Sequence, residues 1–160
     1  MLEDFRAVLR VLEKPGQPDA TFQAIDVLTR RLVGHQLFTL LYRDGNEVAR
    51  VYSNRPAEYP VSGRKSMETT PWGELVLNRC ESYLGRDKQA IRWAFFDHAL
   101  IESMGLGSVI TVPVVYDGGC IGTINLLDAE FHYREEHVER IAPLAPALIP
   151  AFLQARRKAV

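Results

Sequence analysis

Residues 107–128 constrain the fold of this chain more than any other stretch. Segments 108–116 and 120–128 are rich in Val, Ile and Thr, and Asp117-Gly118-Gly119 separates them. Such segments favour strands, and glycine accepts the positive φ that a tight turn between strands requires. The pattern therefore predicts an antiparallel β-hairpin with its turn at 117–119.

The second strand of this hairpin is predicted to have two unlike faces. Successive side chains of a strand point to opposite sides. Ile124 and Leu126 therefore share one side, whereas Thr123 and Asn125 share the other. This alternation indicates an apolar core on one side of the hairpin and a polar-lined space on the other.

Composition limits the classes of protein to consider. With 160 residues, 47 % of them hydrophobic, the chain can bury one core, and we expect a single domain over residues 1–160. Its 19 basic and 20 acidic side chains give a net charge of −1, so neither nucleic acid nor a membrane is an expected partner. No signal peptide is recognisable, and no apolar run approaches the ~20 residues of a membrane span, which favours a cytoplasmic protein.

The two cysteines, Cys80 and Cys120, show neither CxxC spacing nor a histidine cluster. A zinc site is therefore not expected. Reduced cysteines of cytoplasmic proteins behave as small buried hydrophobes. We expect the two thiols not to be bonded to each other.

Two amphipathic helices are predicted in the N-terminal part. The first covers residues 2–13, and the second covers about 20–33 with Gly34 as its C-terminal cap. The apolar positions of the first helix recur at helical spacing and comprise Leu2, Phe5, Leu9 and Leu12.

Strands are predicted at about 37–43 and 47–53, joined by a turn at Asp44-Gly45-Asn46, and a short strand at 82–85. The stretch from 54 to 69 contains Pro and Gly and has little periodicity. Loops of this length are usually kept for binding.

Further helices are predicted at about 70–79, with Thr70 as N-cap and proline at the first position, and at 97–104. The last helix has apolar residues at 3-4-3-4 spacing, but three prolines interrupt it. These prolines share one face, which predicts a bent helix, with a broken pair of helices as the alternative. The apolar positions are Val138, Ile141, Ala145, Leu148 and Phe152, and the prolines are Pro143, Pro146 and Pro150.

An α+β fold, with an antiparallel sheet and helices on both faces, accounts for this order of elements. The order and the hairpin together resemble a GAF domain over about residues 17–155, including a final helix with Glu136 and Ile141. The segments that carry the resemblance are Gly105-Leu106-Gly107-Ser108, Val112-Pro113-Val114, Asp117-Gly118-Gly119 and Ile121-Gly122-Thr123-Ile124-Asn125-Leu126.

The resemblance implies a GAF-like, PAS-related sheet of five or six antiparallel strands. Helices near the two termini would cover one face and commonly form a dimer bundle. Shorter helices and loops on the other face would enclose a small-molecule pocket. Fold does not fix function, so each chemistry known in the family is compared with the residues present.

Cyclic-nucleotide-binding GAF domains share an Asn-Lys…Phe…Asp-Glu signature. Asp87-Lys88, followed by Phe95, Phe96 and Asp97, resembles it in part, but the terminal Asp-Glu pair is missing. Neither cysteine has the surroundings of a bilin attachment site. We therefore expect no cofactor.

Free methionine sulfoxide reductases are the enzymes of this fold, and they need an attacking thiolate and a resolving thiol. Segment 101–108, where the family carries cysteines, has none. We expect no catalytic residue. A small redox or hydrolytic enzyme that uses Cys80 or His98 is the alternative.

Segment 91–98 mixes three aromatic side chains with Arg92, Asp97 and His98 in the part of the chain expected to cover the pocket. This combination is typical of small-ligand sites. The alternative is that the aromatic residues form a minor core and Asp97 caps helix 97–104. The resemblance turns the polar face of the hairpin toward the same pocket. The predicted ligand-binding residues are Trp72, Trp93, Phe96, Asp97, His98, Thr111, Thr123 and Asn125.

A second site is predicted where Arg64, Lys65 and Thr70 precede the helix start at Pro71. A helix N-terminus with cations nearby attracts an anion. The alternative is a set of solvated charges beside an ordinary N-cap.

These observations predict a small-molecule-binding sensor module without its own output domain. It would form a homodimer through its terminal helices and signal through dimerisation or a separate partner. The alternatives are the cysteine-dependent redox enzyme described above and a structural dimerisation module that binds no ligand.

Overall fold

An antiparallel sheet of six strands organises the computed structural model, which describes residues 1–66 and 70–158. The strand order is β3-β2-β1-β6-β5-β4, and helices cover both faces, so the predicted α+β class is confirmed. The strands are β1 (Leu37–Asp44), β2 (Glu47–Ser53), β3 (Arg64–Ser66), β4 (Tyr83–Gly85), β5 (Ser108–Tyr116) and β6 (Gly119–Asp128).

The helices divide between the two faces of the sheet. Those near the termini pack on one face around the main core, and three short helices pack on the other. The first group is α1 (Leu2–Val11), α2 (Asp19–Val33), α6 (Glu135–Ile141), a 3₁₀ segment (Ala142–Leu148) and α7 (Ile149–Lys158). The second is α3 (Pro71–Gly73), continued by a π-helical turn (Glu74–Asn78), then α4 (Lys88–Ala94) and α5 (His98–Ser103).

The central hairpin has the predicted form. β5 and β6 pair antiparallel from Ser108 opposite Asp128 to Tyr116 opposite Gly119. The turn residues Asp117 and Gly118 have φ of 53° and 78°. Two successive residues with positive φ make the primed turn whose twist matches the paired strands.

Alternation along β6 produces the two predicted faces. Ile124 and Leu126 are fully buried among the side chains of the terminal helices. Thr123 and Asn125 are also buried, but on the side covered by the short helices, where both hydrogen-bond within the protein. The hairpin is therefore the boundary between two cores of different polarity.

The C-terminal prolines break the last helix rather than bend it. Residues 142–148 form a 3₁₀ helix between α6 and α7, and Pro146 lies inside it. Each proline removes a backbone donor, and three of them within eight positions leave no continuous α-helical ladder. Four of the five predicted apolar positions nevertheless stay buried, namely Ile141, Ala145, Leu148 and Phe152, and Val138 is half-buried against the same core.

The predicted apolar face of α1 is only partly correct. Val8 is the buried residue of this helix, and Phe5 packs beside the main core. Leu2 and Leu9 are 64 % and 55 % exposed. The helix is thus rotated relative to the predicted face and leaves apolar side chains outside the subunit.

Two elements of the second face were not predicted. β3 lies inside the stretch interpreted as a loop, and α4 begins at Lys88 with Asp87 as its N-cap, whose Oδ1 accepts a hydrogen bond of 2.9 Å from the Ala90 amide. Thr70 caps α3 as predicted, since its side chain accepts a hydrogen bond from the Gly73 amide.

Within the described residues, no helix has both the length and the apolarity that crossing a bilayer requires.

Gly122 lies so close to β1 and α7 that a substitution there tests the position of the hairpin against them. A Cβ added there would lie 2.5 Å from the Leu41 carbonyl oxygen and 2.8 Å from a ring carbon of Phe152. Gly122→Ala is expected to lower the free energy of unfolding by about 1–3 kcal/mol through overpacking, measured by urea denaturation.

Gly119→Ala is the matched control, since an added Cβ there has no atom within 4 Å. We expect it to change stability by less than about 0.5 kcal/mol. Equal effects of the two substitutions would contradict the contact between β6, β1 and α7.

Candidate functional site

The polar residues of the hairpin and Trp72 form a linear chain of hydrogen bonds. Trp72 Nε1 donates to Thr111 Oγ1 at 3.3 Å, and Thr111 Oγ1 donates to Asn125 Oδ1 at 3.0 Å. Asn125 Nδ2 donates to Thr123 Oγ1 at 3.0 Å. All four side chains are buried. They meet on one face as predicted, and they bond to one another.

A small cavity of about 30 Å³ lies beside this chain. β1, β2, β3, β6, the segment after β2 and α5 enclose it, and we call it the Asp97 cavity. Its polar lining is Thr39, Arg50, Tyr59, Lys65, Asp97 and Asn125, and its apolar lining is Leu37, Leu41, Phe95, Ile101 and Leu127.

Asp97 is the centre of the hydrogen bonding in the cavity. Its Oδ2 accepts from Tyr59 Oη at 2.8 Å and from Lys65 Nζ at 3.0 Å. Burial raises the pKa of this carboxyl, but the charge of Lys65 and the two hydrogen bonds outweigh burial and hold the pKa below its usual value. Asp97 is therefore an ionised acceptor at neutral pH, and its Oδ1 is buried without a hydrogen-bond partner.

The alternative role of Asp97 as a helix cap is not what the structure shows. Asp97 stands at the N-cap position of α5, but its side chain makes no capping hydrogen bond. The carboxylate turns instead toward Lys65 and Tyr59. Asp97 thus occupies the N-cap position of α5, but its side chain forms hydrogen bonds in the cavity.

Arg50 is the functional candidate that the sequence analysis missed. The residue is 7 % exposed, its Nη1 donates to the Pro60 carbonyl at 2.9 Å, and its guanidinium lies 4.9 Å from the Tyr59 ring centroid. Its Nε is buried without a hydrogen-bond partner. Burial lowers the pKa of Arg50, yet a guanidinium stays charged in proteins.

A β-bulge places Arg50 in the cavity. Leu41 pairs with Arg50, and the adjacent Leu40 pairs with Tyr52, so Val51 is the extra residue of β2. As a result Arg50 faces the cavity, whereas Tyr52 faces α2 and donates to Asp26 Oδ2 at 2.6 Å. A cation inside the otherwise apolar strand sequence Val48–Tyr52 is the signal that could have identified it.

The described lining of the cavity has a net positive charge. Arg50 and Lys65 are its cations, and Asp97 is its one carboxylate among the residues that the structure describes. Lys65 is paired with Asp97. The charge of Arg50 therefore has only a carbonyl dipole and a ring face as direct contacts.

Of the eight predicted ligand residues, two line the cavity, Asp97 and Asn125, and six do not. Trp72, Thr111 and Thr123 lie in the chain of hydrogen bonds described above.

The other three predicted ligand residues lie farther from the cavity. Trp93 is 48 % exposed and stacks on Tyr83 at 5.1 Å, and Phe96 is 69 % exposed. His98 is half-buried at the start of α5. Helical spacing turns other side chains inward, namely Ile91, Ala94 and Ile101, and Phe95 supplies the aromatic wall.

The predicted anion site is divided by strand alternation. Arg64 points away from the cavity and bonds Asp44 Oδ2 and Glu47 Oε2 at 2.9 and 3.0 Å. The next residue, Lys65, points into it. Thr70 binds its own helix end. The three residues therefore do not form one site, although Lys65 belongs to the cavity.

The cysteines lie together on the cavity side of the sheet but outside the cavity lining. Cys120 is buried, and Cys80 packs against the same apolar cluster. Both are free thiols. Burial raises the pKa of Cys120 to about 11, so its thiol is protonated at neutral pH and is a poor nucleophile.

The lowered pKa of Asp97 predicts a pH-dependent contribution to stability. A carboxyl whose pKa is lower in the folded state stabilises the protein at neutral pH, and this contribution is lost as the pH falls through the folded pKa. We expect the difference in unfolding free energy between the wild type and Asp97→Asn to shrink between pH 7 and about pH 3. Urea denaturation at each pH measures it. Asp117→Asn, at the exposed hairpin turn, is the control for loss of one carboxylate. If the unfolding free energies of both variants, relative to the wild type, depended equally on pH, Asp97 would not be an ionised, hydrogen-bonded carboxylate.

No protein-family model matches the chain, and no curated protein matches it. Solved structures share its fold. The GAF domain of a phosphoenolpyruvate-protein phosphotransferase from Coxiella burnetii is similar with a TM-score of 0.79 at 19 % identity, covering 99 % of this chain and 95 % of that chain. The GAF domain of the corresponding Acinetobacter protein has a TM-score of 0.75 at 13 % identity, with 98 % and 94 % covered.

The GAF domain of a two-component sensor histidine kinase from Bacillus halodurans has a TM-score of 0.72 at 10 % identity, with 90 % of this chain and 99 % of that chain covered. These likenesses extend over nearly the whole chain and agree with the strand order and the hairpin described above. The chain has the fold of a GAF domain.

Proposed function

We propose that this protein is a non-enzymatic sensor module that binds a small polar or anionic molecule in the Asp97 cavity. The observation that carries the proposal is the pair of buried, unpartnered polar atoms in the cavity lining, Arg50 Nε and Asp97 Oδ1. Leaving such a group without a partner costs about 1–3 kcal/mol. A ligand whose entry turns these side chains toward it recovers part of this free energy and thereby stabilises the folded state.

The elements around the cavity suit a ligand that enters and leaves. Tyr59 belongs to the long segment between β2 and β3, and its ring contacts both Arg50 and Lys65. Displacement of this segment opens the cavity without disturbing the central hairpin. Connecting segments over a rigid sheet are common positions for binding residues.

The similar solved structures support a sensory role, because several of them are domains of sensor proteins. One similar structure is a domain of a two-component sensor histidine kinase, and another is a red/green cyanobacteriochrome. The raised pKa of the Cys120 thiol argues against Cys120 as an attacking thiolate, whereas the redox alternative itself rests on Cys80. The remaining alternative, a module without a ligand, predicts that no compound binds in the cavity.

Thermal unfolding with a panel of small anions, cations and neutral polar compounds tests the proposal. At least one compound is expected to raise the Tm of the wild type, because binding to the folded state alone shifts unfolding with ligand concentration. Arg50→Met is expected to remove that shift, and calorimetric titration measures the affinity directly.

Arg64→Met is the matched control, since Arg64 lies on the neighbouring strand and its ion pairs are on the opposite face. It should retain the ligand-induced shift. If no compound in the panel raises the Tm of the wild type, the sensor proposal fails in favour of the ligandless module.

A second part of the proposal is a homodimer through α1 and α2. An apolar groove of about 460 Å³ runs between these helices. Val27 is 69 % exposed beside it, and Leu2 and Leu9 are exposed on α1. Contiguous apolar side chains at a surface mark interaction sites, and a second copy with the same groove would cover them.

Val27→Glu tests the dimer. Sedimentation is expected to give the mass of two chains for the wild type and of one chain for the variant, because burying a carboxylate in an interface carries a large desolvation cost. Val115→Glu, an exposed residue at the end of β5, serves as control and should stay dimeric. A wild type that sediments as one chain would disprove this part.

A further inference from the structure

We propose that residues 55–59, which we call the lid, close the Asp97 cavity, and that the Tyr59 side chain is the latch that holds the lid shut. This inference rests on the proposed function and adds how access to that site is controlled. Three features of the structure lead to it: the size of the cavity, the two fixed ends of the lid, and the contacts of Tyr59.

The cavity is closed to ligands in this structure. Its volume of about 30 Å³ has room for about two water molecules, so an organic ligand enters only if part of the lining moves. Most of the lining belongs to paired strands and to α5. Tyr59 is the one described lining residue that comes from the connection between β2 and β3. This connection can move while the paired strands stay in place.

Both ends of the connection are fixed to the sheet. At its start, the Asn54 amide donates to the Phe38 carbonyl at 3.1 Å, and the Phe38 amide donates to Asn54 Oδ1 at 2.8 Å. At its end, the Ser62 amide donates to the Arg50 carbonyl at 2.8 Å, and Arg50 Nη1 donates to the Pro60 carbonyl at 2.9 Å. The lid thus lies between two fixed points.

The backbone of the lid does not hold its own position. The hydrogen bonds of residues 55–58 with other described residues stay within 53–59. Among them, the Tyr59 amide donates to the Arg55 carbonyl at 2.8 Å, which closes a single helical turn. An isolated turn is unstable in water, because fixing its backbone costs more than one hydrogen bond returns. The lid therefore depends on the Tyr59 side chain for its position.

The Tyr59 side chain is held by apolar packing and by charged groups. Its ring is buried in the apolar cluster that includes Ile101 of α5. Its hydroxyl donates to Asp97 Oδ2 at 2.8 Å, and the Arg50 guanidinium lies 4.9 Å from the ring centroid. Asp97 makes this bond although its side chain stands where it could cap α5. The latch thus occupies two of the charged groups of the cavity lining, and opening of the lid frees both of them.

Hydrogen exchange of backbone amides in the ligand-free wild type, measured by NMR, tests the lid. After correction for intrinsic rates, the Tyr59 amide is expected to exchange at least about 10-fold faster than the Asn54 and Ser62 amides at the fixed ends. Its exchange should also be insensitive to low concentrations of urea, because a local opening exposes little surface. Equal protection of the three amides would overturn the inference.

Tyr59→Phe tests the latch, because it removes the hydroxyl and keeps the ring. Exchange of the amide at position 59 is expected to become at least about 10-fold faster, since a hydrogen bond to a charged group is lost. The Asn54 and Ser62 amides should change by less than about 2-fold. Equal acceleration of all three amides would indicate a general loss of stability and would disprove the latch.

Tyr83→Phe is the matched control. Tyr83 lies on the same side of the sheet, and its hydroxyl donates to the Ala90 carbonyl at 2.8 Å, away from the lid. Loss of this hydroxyl should leave the exchange of the Tyr59 amide at its wild-type rate. Faster exchange in this control, equal to that in Tyr59→Phe, would also disprove the latch.

The outcomes separate this inference from the proposal on which it rests. If the amide at position 59 keeps its wild-type rate in Tyr59→Phe, the latch is disproved, and the Tm measurements with the compound panel still decide the sensor proposal. If the lid opens as expected but no compound raises the Tm, the lid is supported and ligand binding is disproved. The wild-type measurement needs no variant, so the test stands even if Tyr59→Phe does not fold.

Discussion

The alternation of side chains along β6 is the constraint on which the rest of the molecule depends. One set of side chains, with Ile124 and Leu126, joins the terminal helices in the main core. The other set carries Thr123 and Asn125, whose hydrogen bonds extend through Thr111 to Trp72 on α3. A shift of one residue would exchange the two sets. Such a shift would bury an amide among the helices and remove the contact that fixes α3 over the sheet.

The candidate site owes its character to one buried charge, Arg50, and two half-buried ones, Lys65 and Asp97, that are not evenly matched. Ion pairs inside proteins recover the cost of desolvation only when their geometry satisfies most of the hydrogen-bonding groups. Lys65 and Tyr59 satisfy one oxygen of Asp97, and Pro60 satisfies one nitrogen of Arg50. The other oxygen and the Nε have no hydrogen-bond partner among the residues that the structure describes. This imbalance is a poor arrangement for stability alone, and it is the physical reason for proposing that the cavity binds a ligand.

The sequence predicted local features well and side-chain directions less well. The hairpin was predictable because Asp117 and Gly118 supply the turn conformation themselves. Asp97 was identified from a segment that mixes charged and aromatic side chains, and Lys65 from its position before a helix start; both line the cavity. Trp93 and Phe96 lie outside the cavity, because the direction of a side chain in and after a short helix depends on which neighbours, such as Ile91, face the core.

Arg50 could not be placed in the cavity from sequence spacing alone. Strict alternation gives Arg50 and Tyr52 the same face, and they lie on opposite faces only because Val51 is a bulge residue. A bulge depends on the pairing with β1, which a single strand does not record. The break in the last helix could not be predicted either. The spacing of its apolar residues is compatible with both a bent helix and a helix broken by a 3₁₀ segment.

The bulge also makes β2 a connection between the two sides of the sheet. Arg50 reaches the cavity, and two positions later the Tyr52 hydroxyl is bonded to Asp26 of α2, the helix that also bears the exposed Val27. A displacement of β2 therefore moves groups on both sides at once. For the ligand and the second copy proposed above, thermodynamic reciprocity would follow. A second copy on α2 that favours one position of β2 would change the affinity of the cavity by the same factor by which the ligand changes the affinity for that copy.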